Sequence, residues 1–151
     1  MLCPSPCNSY KGRSVNSRWP ARKPMIDHQN TIIVIPARMA AARLPGKPMA
    51  DINGSPMIVH VWRRAIEAKL GHVLVAAGES EIATAIIDQG GDAIITSPYL
   101  KSGSDRVAAA LALRDPDHQF SYVINLQGDL PTVEPLAIRR CSSGPMTMKP
   151  Q

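Results

Sequence analysis

Three basic side chains closely follow the first apolar run of the sequence. Residues 31–35 are mostly β-branched and predict a strand that is buried on both faces. Directly after it, the segment 36–48 carries Arg38, Arg43 and Lys47. Arginine can bond two phosphate oxygens at once and lysine adds a point charge, so this loop favours a polyphosphate site over a merely solvated loop. Its spacing matches neither Gly-x4-Gly-Lys-Ser/Thr nor Gly-x-Gly-x2-Gly.

A second polar segment, Asn125-Leu-Gln-Gly-Asp-Leu-Pro131, follows the last predicted strand. Asp129 is expected at the end of a core strand, where a lone charge is costly unless a cation meets it. A hard oxygen ligand of this kind suits Mg2+ bound to a nucleoside triphosphate. Gly-Asp pairs are also common in ordinary turns, so interpreting Asp129 as a metal ligand depends on the basic loop lying close by.

Strand and helix patterns alternate between these two segments. Strands are predicted over residues 31–35, 73–77, 93–96 and 122–126, and helices over 81–89 and 104–114. Another helix is predicted to begin with Ser55 as its N-cap and Pro56 at its first position, and to end at Gly71. The order predicts an α/β fold with a doubly wound, mainly parallel sheet.

Ligands of such sheets bind beyond the carboxyl ends of the strands, where the strand order reverses. Four loops are therefore expected to form the ligand-binding site, and they span residues 36–48, 77–80, 97–104 and 127–132.

Composition and charge exclude two classes of partner. The chain has 151 residues, 44% of them hydrophobic, and no run approaches the roughly 18 apolar residues of a membrane span. The net charge of +5 resides in the two ends, because residues 30–140 carry equal numbers of basic and acidic side chains. A neutral body argues against a nucleic-acid-binding face. Cys3 and Cys7 are a weak zinc signal, and the cysteines suggest no disulfide framework, which indicates a reducing compartment.

Both ends differ in character from residues 30–140. Residues 1–29 are rich in proline and lack apolar periodicity, so we expect a disordered extension. An upstream read-through with the true start at Met25 is favoured over an organellar transit peptide. After Arg140, the pattern of a starting helix gives way to an irregular tail over 141–151, which we interpret as a frameshift or an early stop.

Four segments together resemble the 3-deoxy-manno-octulosonate (KDO) cytidylyltransferases, over about residues 31–140. They are Arg43-Leu-Pro-Gly-Lys-Pro48, Asp51-Ile-Asn-Gly-Ser-Pro-Met-Ile-Val-His60, Ser102-Gly-Ser-Asp-Arg106, and Asn125-Leu-Gln-Gly-Asp129 with Pro131. The resemblance implies a Rossmann-like nucleotide-diphospho-sugar transferase fold, here incomplete, in the cytoplasm. It also implies transfer of CMP from CTP to KDO for lipopolysaccharide synthesis, with Mg2+ as cofactor. The family forms homodimers, but we expect the dimer contacts to be missing from this chain.

The resemblance also implies roles for particular residues. Arg38 and Lys47 would be catalytic, and Asp129 would bind the metal. The nucleotide would be bound by Pro36, Ala37, Arg38, Arg43, Lys47, Ser104, Arg106 and Gln127.

The sequence departs from the family's pattern at three places. Ala41-Ala42 replaces a hydroxyl pair, Ala77-Gly78-Glu79 replaces Ala-Thr-Asp, and Leu130 replaces Glu or Phe. The first two changes are expected to weaken CTP binding. Because the family's second half is missing, we expect little or no transferase activity from this chain alone. Two alternatives stay open: a nucleotide-binding remnant without catalysis, and a cytidylyltransferase acting on another acidic sugar.

Overall fold

The computed structural model describes residues 29–40 and 44–143, with side chains described as far as residue 140. The elements in chain order are β1 (Thr31–Ala37), a short 3-10 helix (Lys47–Met49), β2 (Asp51–Ile52), β3 (Ser55–Pro56), α1 (Met57–Ala68), β4 (His72–Ala77), α2 (Ser80–Ile87), β5 (Asp92–Ile95), α3 (Gly103–Arg114), β6 (Tyr122–Asn125) and α4 (Pro135–Ser143). None of the helices described is long and apolar enough to pass through a bilayer.

Four strands form one parallel sheet in the order β5-β4-β1-β6. The chain moves outward from β1 to β4 and β5, and then returns to place β6 on the other side of β1. Strand order therefore reverses beside β1, and the carboxyl ends of β1 and β6 open at that point. This topology confirms the predicted α/β class with a mainly parallel sheet.

The sheet is covered on both faces, which confirms the doubly wound arrangement. On one face, Ile33 and Ile35 of β1 belong to an apolar core that α1, α2 and Ile138 of α4 complete. On the other face, Ile32 and Val34 pack with α3. All four side chains are fully buried. Each contributes roughly 1.5–3 kcal/mol on burial, so β1 is the centre of the core, as its β-branched run predicts.

The predicted start of α1 is wrong. Asn53 and Gly54 both have positive φ, 52° and 81°, and they turn β2 back onto β3 in an antiparallel pair. Ser55 thus belongs to a strand and is not the N-cap. Pro56 occupies the cap position instead, with no side-chain cap bond. His60 ties this hairpin to α1, because its Nε2 lies 2.9 Å from the Ile52 carbonyl oxygen.

The predicted role of Gly71 is also wrong. Helix α1 ends at Ala68, and Lys69 adopts the left-handed conformation that terminates it. Gly71 lies against β1, where an added Cβ atom would overlap the Thr31 carbonyl oxygen. The glycine is therefore needed for close approach of two strands. At the other end of the chain, α4 continues to Ser143, past the boundary predicted at Arg140.

Candidate functional site

An open pocket of about 580 Å³ lies at the carboxyl ends of β1 and β6, where the strand order reverses. The residues predicted for the site that line it are Pro36, Ala37, Arg38, Lys47, Arg106, Gln127 and Asp129. The other lining residues are Leu44, Pro48, Met57, Ser102, Gly103 and Gly128. Arg43 lies outside the described residues, as do Cys3 and Cys7. The structure thus brings the two polar segments of the sequence together around one cavity.

The back of the pocket depends on a glycine. A Cβ atom at Gly128 would lie 2.7 Å from the carbonyl oxygen of Pro36, which is too short for a carbon–oxygen contact. The segment after β6 can therefore pass close to the end of β1 only with glycine at this position. The close approach brings Asp129 to the same side of the pocket as the basic loop.

Lys47 and Asp129, both in the pocket lining, form an ion pair, with Nζ and Oδ2 3.1 Å apart. Lys47 begins the 3-10 helix after Gly46, whose left-handed backbone (φ 76°) makes the turn. The side chains of Lys47 and Asp129 are 35% and 56% exposed. The expectation that Asp129 is a desolvated charge at the end of a core strand is therefore wrong. Its strand, β6, lies at the edge of the described sheet, and Asp129 comes after the strand has ended.

Arg38 follows β1 at the mouth of the pocket and is exposed. Its Nη1 is 3.5 Å from the carbonyl oxygen of Leu100, which is at the limit of a hydrogen bond. Within residues 29–40 and 44–140, the guanidinium is therefore held only weakly, which leaves donors for a ligand.

Arg106 is the most buried charged side chain of the pocket, at 1% exposed. Its Nη1 donates to Oγ1 of Thr96 at 2.6 Å, while its buried Nη2 has no hydrogen-bond partner within the described part of the chain. Burial lowers the pKa of Arg106, the Glu79 carboxylate opposes this shift, and the charge of Arg38 adds to it. An unmatched buried donor costs about 1–3 kcal/mol, so Arg106 is held in its position at a cost to stability.

Ser104, which was predicted to bind the nucleotide, is not among the residues that line the pocket. Its side chain is exposed on the first turn of α3, whereas Ser102 and Gly103 line the cavity. Ser102 caps the helix reciprocally with Asp105: the Asp105 amide donates to Oγ of Ser102 at 3.0 Å, and the Ser102 amide donates to Oδ2 of Asp105 at 3.1 Å. This capping box satisfies two amides at the start of α3, and the amino terminus of the helix lies at the cavity. The motif Ser-Gly-Ser-Asp-Arg contains it, but spacing alone did not show which serine is the cap.

Glu79, which stands where the family's pattern has Asp, is a further functional candidate. Its Oε2 accepts a hydrogen bond from the backbone amide of Met39 at 2.8 Å, so it joins the end of β4 to the basic loop. The sequence feature that points to Glu79 is its position in the loop 77–80, at the ligand-binding edge of the sheet.

The residues that could hold a metal are few. No group of three or more His, Cys, Asp or Glu side chains suited to a metal occurs among the described residues. Asp129 is the single carboxylate in the pocket lining over that part of the chain. One carboxylate is enough for Mg2+ when phosphate oxygens of a substrate supply further ligands. The residues present thus fit a cation that arrives with a nucleotide, and they do not form a preformed metal cage.

Comparison with known proteins gives concordant matches. A family model described as cytidylyltransferase matches residues 32–144. The 3-deoxy-manno-octulosonate cytidylyltransferase of Parvibaculum lavamentivorans is 55% identical over 124 residues, which are 82% of this chain and 47% of that protein. Its counterpart in Rhodospirillum rubrum is 61% identical over 109 residues, 72% of this chain and 43% of that protein.

A solved structure of CMP:2-keto-3-deoxy-manno-octonic acid synthetase complexed with CTP is 39% identical, with a TM-score of 0.64. The match covers 74% of this chain and 45% of that one. The chain therefore spans about half the length of the proteins it matches. The extent of the family match and these identities show that the chain belongs to the cytidylyltransferase family, and that the relatives it matches are 3-deoxy-manno-octulosonate cytidylyltransferases.

Proposed function

We propose that the described residues form the nucleotide-binding part of a KDO cytidylyltransferase. In the reaction, the anomeric hydroxyl oxygen of KDO forms a bond to the α-phosphorus of CTP. The bond from that phosphorus to the bridging oxygen of the β-phosphate breaks, and the hydroxyl proton is lost. The products are CMP-KDO and pyrophosphate. The names of the relatives and the CTP in the related structure support this choice of substrates.

One observation carries the proposal: two cations, a carboxylate and a buried guanidinium with an unmatched donor meet in one pocket at the switch point of the sheet. Arg38 and Lys47 would hold the triphosphate and offset the negative charge that develops on the leaving pyrophosphate. Arg43, in the same loop, stays a prediction. Positioning and charge compensation supply most of the rate in such transfers, which need little covalent help from the protein.

Arg106 lines the pocket and would add a fixed positive charge to the nucleotide site. Its Nη2 donor is shielded and unmatched, so a phosphate, ribose or carbonyl oxygen would accept from it once the side chain shifts towards the ligand. Gln127, whose Nε2 lies 3.3 Å from Oδ1 of Asn125, and the backbone of Pro36 and Ala37 complete the proposed nucleotide contacts.

Asp129 would hold Mg2+ together with the phosphate oxygens of CTP. When bound, the cation would neutralise phosphate charge. Lys47 and Asp129 are paired, so nucleotide and cation would compete with this contact: Lys47 would donate to a phosphate oxygen, and Asp129 would hold the cation. The assignment to lipopolysaccharide synthesis and the cytoplasmic location rest on the resemblance to the family and are part of the proposal.

Calorimetric titration of the 151-residue chain with CTP, with and without Mg2+, tests the proposal. Saturable binding that Lys47→Ala abolishes would support the site, and preference for CTP over ATP, GTP and UTP would support the nucleotide. A chain with folded-state circular dichroism and no binding of any nucleotide would refute it. The acceptor needs a separate assay of CMP transfer by a full-length version of the enzyme. Transfer to sialic acid and not to KDO would favour the alternative acidic sugar.

A further inference from the structure

The side chain of Glu79 does not cap the helix that it precedes. Glu79 is the N-cap residue of α2, with the extended backbone (φ −132°, ψ 153°) typical of that position. An N-cap side chain normally accepts a hydrogen bond from an amide of its own helix's first turn. Glu79 makes no such bond, and its carboxylate accepts from Met39, 40 residues earlier in the chain. The first turn of α2 thus lacks its side-chain cap while the carboxylate serves a different segment.

The peptide groups of Met39 link the two proposed phosphate-binding cations. The Met39 amide donates to Glu79, and the Met39 carbonyl oxygen accepts from the amide of Gly46 at 2.9 Å. Arg38 precedes Met39, and Lys47 follows Gly46. Met39 is therefore held at both ends, and the positions of Arg38 and Lys47 both depend on where it is held. At the same edge, the Gly78 amide donates to the Ala37 carbonyl oxygen at 2.8 Å, which fixes the backbone that carries Glu79.

The residue before Glu79 allows two arginines to approach each other. A Cβ atom at Gly78 would lie 3.1 Å from Nη1 of Arg106 and 3.2 Å from Cβ of Arg38, both tighter than ordinary contacts. The Arg106 guanidinium thus lies beside the base of the Arg38 side chain, and the charge of Arg38 disfavours the charged form of Arg106. The Glu79 carboxylate opposes both this effect and that of burial on Arg106.

We propose that Glu79 is a positioning residue for nucleotide binding: its carboxylate holds the Met39 peptide, and through it Arg38 and Lys47, in the arrangement that receives the triphosphate. The inference rests on the proposed function of the pocket. It explains why a carboxylate at an N-cap is directed to a loop and not to its own helix.

Glu79→Ser and Glu79→Ala separate positioning from stability. Serine can cap α2 but is too short to reach Met39, whereas alanine does neither. Urea unfolding should therefore find the serine variant more stable than the alanine variant. The dissociation constant of Mg2+–CTP, measured by calorimetry, should rise about ten-fold in both. Glu79→Gln keeps an amide oxygen that can accept from Met39, so its affinity should lie between these variants and the wild type. Glu81→Ala removes an exposed carboxylate from the same helix turn and should leave the affinity unchanged.

Hydrogen exchange of the Met39 amide gives a readout without nucleotide: exchange should be faster in Glu79→Ser than in the wild-type chain. Wild-type CTP affinity in a folded Glu79→Ser variant would overturn the positioning role. Affinities that follow the stabilities across the three variants would also overturn it, because Glu79 would then act only on the fold. A wild-type chain that binds no CTP would overturn the proposed function itself, whatever the exchange rates.

Discussion

The ion pair between Lys47 and Asp129 is expected to matter little for the stability of the fold and much for the affinity for CTP. The two side chains are 35% and 56% exposed, and a pair this exposed contributes only about 0–1 kcal/mol to folding. Lys47→Met should therefore lower the free energy of unfolding by no more than about 1 kcal/mol. A charge-assisted hydrogen bond to a phosphate oxygen contributes about 1.5–3 kcal/mol, so the same change should weaken CTP binding roughly ten- to hundred-fold.

Asp129→Asn should act with opposite signs in two conditions. Without divalent cations, CTP should bind more tightly than to the wild-type chain, because Lys47 loses its competing partner and a negative charge leaves the pocket. With Mg2+, the gain in affinity that the cation gives the wild-type chain should largely disappear, because an amide oxygen is a poorer ligand than a carboxylate.

Calorimetry in EDTA and in Mg2+, together with urea unfolding of each variant, measures all of these quantities. Lys101→Met is a suitable control, because Lys101 is exposed and is not part of the pocket lining. Loss of more than about 2 kcal/mol of stability in Lys47→Met would show that the pair is structural, against the estimate for exposed pairs. Unchanged metal-free affinity in Asp129→Asn would show that the pair does not compete with the nucleotide.

Four further substitutions test separate parts of the structure. Gly71→Ala should destabilise the chain by about 1–3 kcal/mol more than Gly90→Ala in urea unfolding, because both have positive φ but only Gly71 lies against backbone atoms; equal losses would contradict this reading. Ser102→Ala should cost about 1 kcal/mol of stability through loss of the capping box. Ser104→Ala should leave stability and CTP affinity unchanged, and a weaker affinity by calorimetry would restore Ser104 to the site. Arg106→Met should weaken CTP binding at least about ten-fold with a change in stability of at most about 1 kcal/mol, since an apolar side chain replaces a buried charge; undiminished affinity would remove Arg106 from the nucleotide site.

The sheet was predictable from the sequence because its central strand is buried on both faces. The sequence of such a strand is a continuous run of β-branched residues, and residues 31–35 form a run of this kind. The start of α1 was missed because Ser55-Pro56 resembles a helix start, whereas Asn53-Gly54 just before it is a strong hairpin signal. Local cap propensity was here outweighed by the pairing of two short strands.

The candidate site was predictable where it depends on loops that leave the strands. Arg38, Lys47 and Asp129 share a pocket because the carboxyl ends of parallel strands meet at one edge. The exposure of Asp129 and the contact of Glu79 with Met39 could not be predicted from spacing. The first depends on the position of β6 at the edge of the sheet, and the second joins segments that are 40 residues apart.

The placement of the first strand at the centre of the sheet has a consequence for synthesis of the chain. Lys47 and Asp129, which meet at the pocket, are 82 residues apart in sequence. At about 5–20 residues per second on the ribosome, Asp129 is synthesised roughly 4–16 seconds after Lys47. During that interval, one hydrogen-bonding edge of β1 has no β6 to pair with, although β1 is the most apolar strand of the sheet. The nascent chain thus carries its most aggregation-prone edge for seconds, and a chaperone that binds extended apolar segments should recognise residues 31–37 first.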